Sequence, residues 1–466
     1  MFNKKNKLSL SKWLILLISI FWISIISAYK PWQSNLIAND VVSYYGYLPA
    51  IFIHHDVTLK FIEKDPEFFS GKYWPETATN SGKVIKTTMG LSMLYAPFFF
   101  LGHAVAPIFG EPQTGFSMPY QFCLLLSSLL YLLLGLYYLR KLLLCYFSET
   151  VTSLSIASVF FGTNLLWYTT IAGLMSHGYL FSMLIIFIYF TVKWHQQPNI
   201  KLSAVVGLIG GLMTLIRPTM LIFMLIFVLF NIYNKQSFID KLKLFKNYHN
   251  NLLVIALGFV IAIAPQLIYW KYITGDWFFY SYVGEHFYFD NPHLIEGLFG
   301  FRKGWLLYTP IMTFAVVGLF FLKKNVSVFS LAVITPFCLS VYIILSWWAW
   351  WYGGSFGQRA FVDFYGLLTL PMACYFKYIF DKTNQFKKAT LICAIVLLIS
   401  LNLFQTWQFK NGLIHYDAMT KESYFLGFGK THHTVEWWES CEEPDYERAK
   451  KGLPELRDKS NKTIKK

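Results

Sequence analysis

Long apolar runs alternate with short polar connections along the chain from Trp13 to Gln408. A helix needs about 20 apolar residues to cross the hydrocarbon core of a bilayer, and most of the runs approach that length. The pattern therefore predicts an all-α polytopic membrane protein with about eleven transmembrane helices. The predicted spans are Trp13–Tyr29, Ser117–Leu139, Val151–Ile171, Leu174–Val192, Leu202–Ile216, Pro218–Ile232, Asn251–Lys271, Gly304–Leu322, Val326–Ser346, Ala360–Phe380 and Ala389–Gln408.

The composition agrees with a membrane protein and excludes several other classes. Of the 466 residues, 55% are hydrophobic and 14% are charged, which is too apolar for an ordinary soluble domain. The formal charge of +15 does not indicate nucleic-acid binding, because the basic residues stand at the ends of apolar runs, where they set topology. No P-loop, GxGxxG or HExxH motif is present, so ATP, dinucleotide and zinc-peptidase chemistry have no support.

The six cysteines indicate neither a disulfide framework nor a metal site. Five of them fall in or beside apolar runs. Cys441 is the one that lies in a polar segment, so we expect it to be accessible to reagents.

Basic residues set the predicted orientation. Lys12 precedes the first span, and pairs such as Arg140–Lys141 and Lys323–Lys324 fall on alternate connections. The positive-inside rule then places the N-terminus in the cytoplasm and the C-terminus outside, in a multi-pass protein of the cell membrane. Residues 1–408 form the predicted membrane module, with residues 30–116 as a long first extracytoplasmic loop that carries interfacial helices. Residues 409–466 form an extracytoplasmic tail, which we expect to be weakly ordered beyond Glu442.

Two stretches allow a second interpretation. Leu202–Ile232 is long enough for a single tilted helix, but Pro218 favours a break after Arg217, and two short helices keep the lysines that follow inside. Thr88–Phe109 is apolar enough to span. We interpret it as a helix in the outer interface, because a span there would turn the next basic pair outward.

In this topology the unusual polar residues gather on the outer side. A charge at the bilayer centre costs about 2.5–3.5 kcal/mol on insertion scales, so charged groups beside the spans are candidates for function. The candidates are Asp40, Lys86, His177, Arg217, Glu285, Arg302 and Arg359.

Each candidate also has a structural interpretation. Asp40 is suited to cap the helix that follows it, and Lys86 to reach lipid headgroups. Arg217 is equally explained as the mark of a helix end, and His177 as a packing residue. Arg302 is equally an ordinary loop charge.

The outer segment "WWAWWYGGSFGQRAFVDF", Trp347–Phe364, carries the densest set of chemical groups. Four tryptophans form an interfacial belt or line a ligand, and Gly353–Gly354 allow a close backbone turn before Arg359. Flat aromatic rings beside a glycine turn and a cation are suited to bind a sugar that carries a phosphate. Arg359 and Asp363 are also spaced as a structural helix pair.

Four motifs in order resemble the GT-C superfamily of membrane glycosyltransferases. They are "NDVVSYYGYLPA" after the first helix, "KTTMGLSMLYAPFF" in the first outer loop, "GLIGGLMTLIRP" and "WYGGSFGQR". The chain is most similar to the branch that holds the protein O-mannosyltransferases and the lipid A aminoarabinose transferase, over roughly Trp13–Leu413. It departs from many relatives at their Asp–Glu pair, where it has Asn39–Asp40, so the second acid is unassigned.

The resemblance implies transfer of a sugar, with inversion, from a polyprenyl-phosphate donor to an acceptor hydroxyl outside the cytoplasm. Asp40 would be the base that takes the acceptor proton. The implied partners are the donor, a lipid, glycan or protein acceptor, and membrane lipids, with no nucleic acid, no cofactor and no divalent metal. The implied substrate-binding residues are Lys86, His177, Arg217, Arg302 and Arg359, with Trp347 and Trp351 lining sugar or lipid.

One carboxylate suffices for this chemistry. A leaving phosphate is already a stable anion and needs no general acid, whereas a glycosidase needs two carboxylates. Two other classes compete with this interpretation. A glycolipid flippase would show repeats and a charged cavity within the spans, and a lipid-linked glycan polymerase or ligase would place basic residues in large outer loops, as partly happens here.

Overall fold

The computed structural model of the chain describes residues 9–78, 80 and 82–453. Its regular secondary structure is almost entirely helical, which confirms the predicted all-α class. Two short strands, β1 (Glu76–Thr77) and β2 (Lys83–Val84), pair antiparallel with Glu76 opposite Val84. The α-helices are α1 (Leu10–Tyr29), α2 (Asp40–Tyr45), α3 (Tyr47–Phe52), α4 (Pro66–Phe69), α5 (Gly90–Val105), α6 (Met118–Leu144), α7 (Glu149–Phe161), α8 (Leu165–Thr169), α9 (Ser176–Gln196), α10 (Ile200–Ile216), α11 (Leu225–Leu229), α12 (Lys235–Asn247), α13 (His249–Thr274), α14 (Leu294–Phe299), α15 (Trp305–Tyr308), α16 (Thr313–Asn325), α17 (Ser330–Leu345), α18 (Tyr365–Lys382), α19 (Gln385–Lys410), α20 (Lys421–Gly427), α21 (Val435–Glu439) and α22 (Tyr446–Lys450). Turns of 3₁₀ helix cover Pro31–Gln33, Lys60–Glu63, Ala106–Phe109, Pro218–Met224, Pro310–Met312, Ser327–Phe329 and Arg359–Phe364.

Seven helices of the described residues are long and apolar enough to cross a bilayer. Six of them coincide with spans predicted from the sequence. The seventh, Gly90–Phe109, is the one that we predicted to lie in the interface. This predicted placement therefore rests on the charge pattern alone. The seven are Leu10–Gln33, Gly90–Phe109, Met118–Leu144, Ser176–Gln196, His249–Thr274, Ser327–Leu345 and Gln385–Lys410.

The predicted count of about eleven spans is not confirmed. Four of the remaining five predicted segments form short or interrupted helices, and the fifth, Ala360–Phe380, is largely the 18-residue helix α18. Val151–Ile171 is divided into α7 and α8, and Gly304–Leu322 is divided into α15 and α16 by a 3₁₀ turn at Pro310–Met312. Proline explains this second break, because it lacks the N–H that would continue the helix.

The break that the sequence predicts beside Pro218 is present. Helix α10 ends at Ile216, and Arg217 is extended, with φ −145° and ψ 119°. Pro218 then begins a 3₁₀ turn that leads into α11. The steric effect of proline on the residue before it accounts for this local geometry.

The chain divides into two compact units. The first unit contains Tyr168–Val283, Val326–Val333 and the described residues up to Ser153. Helices α10 and α13 pack against each other in this unit at a very short distance. A Cβ atom added to Gly207 would lie 2.2 Å from the Ile255 carbonyl oxygen, so the contact needs a residue without a side chain.

The second unit contains Leu154–Trp167, Gly284–Asn325 and the described residues from Ile334 onward. Helix α16 packs against α18, and most of α18 is buried. Hydrogen bonds of one buried asparagine join two segments in the interior of this unit. The Asn164 side chain donates to the Phe356 carbonyl and accepts from the Tyr365 hydroxyl, both at 2.9 Å.

The C-terminal segment up to Leu453 is folded, so the expectation of weak order beyond Glu442 is wrong for the residues described. Trp437 lies in a core with Tyr308 and Cys441. Cys441 is 7% exposed, and burial raises the pKa of its thiol to about 11. The expectation that Cys441 is accessible is therefore also wrong, because the thiol is both covered and protonated at neutral pH.

Candidate functional site

Asp40 stands at the entrance to a buried segment of the first unit. It is the first residue of α2 and is half-buried, whereas Asn39 is exposed and Val41–Ala50 are all buried. The N-cap position belongs to Asn39, which has φ 51° and makes no side-chain capping bond. Asp40 therefore does not occupy the capping position that its structural interpretation requires. Its carboxylate lies in the first turn, where the helix dipole favours negative charge.

Helix α2 links Asp40 to α9. Tyr44 follows Asp40 by one turn and so lies on the same helix face. The Ser176 hydroxyl, at the start of α9, donates to the Tyr44 hydroxyl oxygen at 3.5 Å. The Ser92 hydroxyl of α5 donates to the Tyr44 backbone carbonyl, which fixes α2 against α5.

His177 follows Ser176 in α9 and lies beside Arg217. His177 is 1% exposed and packs edge-on against the Tyr168 ring, with 5.0 Å between centroids. Its Nδ1 atom lies 3.5 Å from Arg217 Nη1. Arg217 is the C-cap residue of α10, where the helix dipole favours a cation. We call Asp40, Tyr44, Ser176, His177 and Arg217 the Asp40 cluster.

Lys86 lies in the loop between β2 and α5 of the same unit. Its ammonium is 3.7 Å from Glu76 Oε1 and 5.3 Å from the centre of the Tyr282 ring. Tyr47 of α3 donates to the carbonyl of the next residue, Thr87, at 2.7 Å. The loop therefore packs beside the α2–α3 segment, and Lys86 has a carboxylate neighbour that the sequence did not suggest.

The tryptophan segment belongs to the second unit and is mostly buried. Trp347 is half-buried and packs on Phe287, with ring centroids 4.6 Å apart. Trp348 Nε1 donates to Glu285 Oε2 at 3.0 Å, which gives Glu285 a structural role. Trp351 is 1% exposed. Its role in lining sugar or lipid stays a prediction.

The last of the described residues, 449–453, lie against these tryptophans. Tyr288 donates to the Lys450 carbonyl, and the Lys450 ammonium lies 5.6 Å from the centre of the Trp348 ring. The residues around a small cavity at this place come from the tryptophan segment, from the stretch before α14 and from the tail. They are Tyr288, Asn291, His293, Trp348, Trp350, Trp351, Ala449, Gly452 and Leu453.

Three cationic side chains of the second unit interact electrostatically. Arg302 lies over the Trp351 ring, with its guanidinium carbon 5.6 Å from the ring centre. The adjacent Lys303 is 1% exposed, and its ammonium donates to the carbonyls of Ser355 and Tyr416. Burial lowers the pKa of Lys303 well below its usual value, the charges of Arg359 and Arg302 lower it further, and Asp417 opposes the shift. We call Arg302, Lys303 and Arg359 the cation cluster.

Asp417 supplies the acid beside this cluster. It is 5% exposed. Burial raises the pKa of its carboxyl. The nearby His415, whose Nδ1 lies 3.4 Å from Asp417 Oδ1, the hydrogen bond from Tyr446 and the charge of Lys303 outweigh burial and lower that pKa from its usual value. The Tyr446 hydroxyl donates to Asp417 Oδ2 at 2.9 Å and lies 3.5 Å from Trp351 Nε1. The carboxylate is therefore ionised at neutral pH.

Arg359 and Asp363 do not lie in an α-helix, because Arg359–Phe364 form a 3₁₀ turn. Their pairing as a structural pair stays a prediction. Lys303 and Asp417 were not among the residues predicted from the sequence. The Arg302–Lys303 doublet in an apolar stretch was a signal for the first of them, and no local signal marked the second.

Within the described residues, no group of three or more His, Cys, Asp or Glu side chains is placed to hold a metal ion. No protein-family model matches the chain, and no curated protein matches it.

Proposed function

We propose that this protein is a membrane glycosyltransferase that moves a sugar from a polyprenyl-phosphate donor to an acceptor hydroxyl. The observation that carries the proposal is the position of Asp40 at the exposed end of a buried helix of the first unit. Tyr44 of that helix meets Ser176, and the next residue, His177, lies beside Arg217. A half-buried carboxylate in the same cluster as a cation suits proton transfer next to a developing phosphate charge.

The reaction we propose is a direct displacement with inversion at the anomeric carbon. Asp40 takes the proton of the acceptor hydroxyl, whose oxygen forms a bond to that carbon. The bond from the same carbon to the phosphate oxygen breaks, and its electron pair leaves with polyprenyl phosphate. Arg217 is suited to stabilise this leaving group, because guanidinium binds phosphate oxygens in a bidentate geometry.

Three more residues are assigned to the binding of anionic substrate, and a fourth supports Arg217. Lys86 is one of the three, and Glu76 offsets part of its charge. Arg302 and Arg359 belong to the cation cluster of the second unit, where Lys303 adds a third positive charge. His177 is assigned to hold the Arg217 guanidinium in place rather than to touch substrate, because it is buried beside it.

We also propose the finer topology. The N-terminus lies in the cytoplasm and the C-terminus lies outside. The membrane segments, about eleven in number, are the long helices other than Gly90–Phe109, which lies in the outer interface, together with α7, α10, α11, α16 and α18. The charge pattern supports this arrangement, which puts Asp40 on the outer side.

The decisive experiment is Asp40→Asn. Asparagine keeps the shape of the side chain and cannot accept a proton at neutral pH. Turnover should fall on the order of 10²–10⁴-fold, with normal expression and normal binding of polyprenyl phosphate by native mass spectrometry. Transfer is measured with purified protein in nanodiscs, a panel of radiolabelled polyprenyl-phosphate sugars and a membrane extract as acceptor.

Asp65→Asn is the matched control. Asp65 belongs to the same loop and caps α4 by accepting from Phe68 N at 3.1 Å, and asparagine caps equally well. This variant should keep full turnover. Full activity of Asp40→Asn would remove Asp40 as the base. Movement of intact lipid-linked glycan across the bilayer, without a new glycosidic bond, would favour the flippase class instead.

A further inference from the structure

Helix α12 docks on the first unit through one narrow face. Ser237 and Lys241 are its buried residues. The Lys241 ammonium lies against His195 Nε2 at the end of α9 and donates to the carbonyls of Phe227 and Phe230, both at 3.0 Å. Asn234 and Ser237 form a capping box at its start. The helix is therefore held in a fixed orientation about its own axis.

This orientation leaves an apolar face uncovered. Phe238 is 48% exposed, Leu242 is 53% exposed and Ile239 is 36% exposed. At about 100° per residue, Lys235 and Lys246 project from the same side as these three side chains. The polar residues Gln236, Asp240 and Asn247 project from the opposite side.

The position of α12 places that face at the level of a membrane surface. It touches the end of the spanning helix α9 through Lys241, and it is followed directly by α13, another helix long enough to span. Most side chains of α13 are exposed or half-buried, as expected of a helix that faces lipid. A short helix at the junction of two spans, with an apolar stripe flanked by lysines, has the composition of a helix that lies in the headgroup layer.

We propose that α12 binds the anionic lipids of the adjoining leaflet. Phe238, Ile239 and Leu242 insert between the acyl chains at the headgroup boundary, and the ammonium groups of Lys235 and Lys246 bind lipid phosphates. Charge complementarity selects this partner, because the face combines three apolar side chains with two lysines and carries no carboxylate. The inference does not depend on the proposed enzymatic function.

The test compares two faces of one helix in the full-length protein. Leu242→Cys and Gln236→Cys are placed separately in protein reconstituted into nanodiscs that contain phosphatidylglycerol, and a water-soluble maleimide is added. Mass spectrometry of the peptide that contains the new cysteine measures labelling at that site alone. Labelling at position 242 should be at least about tenfold slower than at position 236, because the thiol is withdrawn from water.

The lipid contribution is separated with charge variants. Lys235→Gln and Lys246→Gln should each reduce the protection at position 242, by up to about fivefold per lysine. Lys243→Gln makes the same charge change away from the centre of the face and should reduce it less. Equal labelling at positions 236 and 242 would overturn the proposal. Protection that is the same in nanodiscs of phosphatidylcholine alone and insensitive to the lysine changes would also overturn it, and would indicate a protein partner.

Discussion

Substitution of Lys303 tests which contacts stabilise the second unit. Lys303→Met keeps most of the volume of the side chain and removes its ammonium group. The Ser355 and Tyr416 carbonyls then lose the donor that joins the glycine-rich loop to the tail. Asp417 also loses a nearby positive charge.

The magnitude follows from the contacts. A hydrogen bond to a charged group contributes about 1.5–3 kcal/mol, and Lys303 makes two. The substitution also removes the cost of burying an ammonium that is 1% exposed, which offsets part of the loss. The net destabilisation should be on the order of 3 kcal/mol, which is a large part of the roughly 5–15 kcal/mol that holds a typical domain folded.

The assay is thermal unfolding of the purified protein in detergent, combined with amide hydrogen exchange. The Ser355 N–H donates to the Tyr416 carbonyl at 3.0 Å. Hydrogen exchange of this amide therefore reports on the contact between the loop and the tail that Lys303 also stabilises. Lys421→Met removes an exposed lysine from α20 of the same unit and is the control. An unfolding midpoint and an exchange rate for Lys303→Met equal to those of Lys421→Met would refute the reasoning.

Three further predictions address the topology, the substrate and pH. Because Cys441 is buried, Lys430→Cys is used to test the topology. An impermeant maleimide should label this cysteine in intact cells, whereas the natural exposed Cys145 should react only after permeabilisation. The reverse order of labelling would show that the topology is inverted. Lys86→Ala should raise the Michaelis constant for the donor and leave that for the acceptor unchanged, and an equal effect of Glu76→Gln would show that only the Lys86–Glu76 ion pair matters. Burial lowers the pKa of Lys241 from 10.5 to about 7, so between these values the unfolded chain binds more protons than the folded one, and folding becomes more stable as the pH rises. Amide protection of α12, corrected for intrinsic exchange, should therefore increase from pH 7 to 9 and should not do so in Lys241→Met; a decrease would contradict the argument.

Local chemistry explains which parts of the fold could be predicted from the sequence. The break after Arg217 was predictable, because proline acts on the residue directly before it. The end of α7 at Phe161 was not. There the Asn402 side chain, far along the chain in α19, donates to the carbonyls of Phe161 and Thr163, both at 2.9 Å. A hydropathy pattern carries no information on a hydrogen bond between distant positions. The pattern therefore predicted one span where the structure has two helices.

The same distinction applies to the candidate site. Asp40, Arg217 and Arg302 stand out in the sequence, because a charge beside an apolar run is unusual. Their neighbours do not stand out: Tyr44 meets Ser176 across 132 positions of the chain, and Lys303 meets Tyr416 across 113. The sequence therefore identified the charged groups, and the structure was needed to show what holds them.

Backbone carbonyls rather than carboxylates hold the buried lysines of the described residues. Lys241 donates to the carbonyls of Phe227 and Phe230, and Lys303 donates to those of Ser355 and Tyr416. Carbonyl oxygens satisfy the donors of an ammonium group without supplying a formal negative charge, whereas a carboxylate would do both. Burial therefore keeps the pKa of each lysine below its usual value. These two lysines thus join backbone segments, and the anionic donor of the proposed reaction is left to half-buried cations such as Lys86 and Arg217.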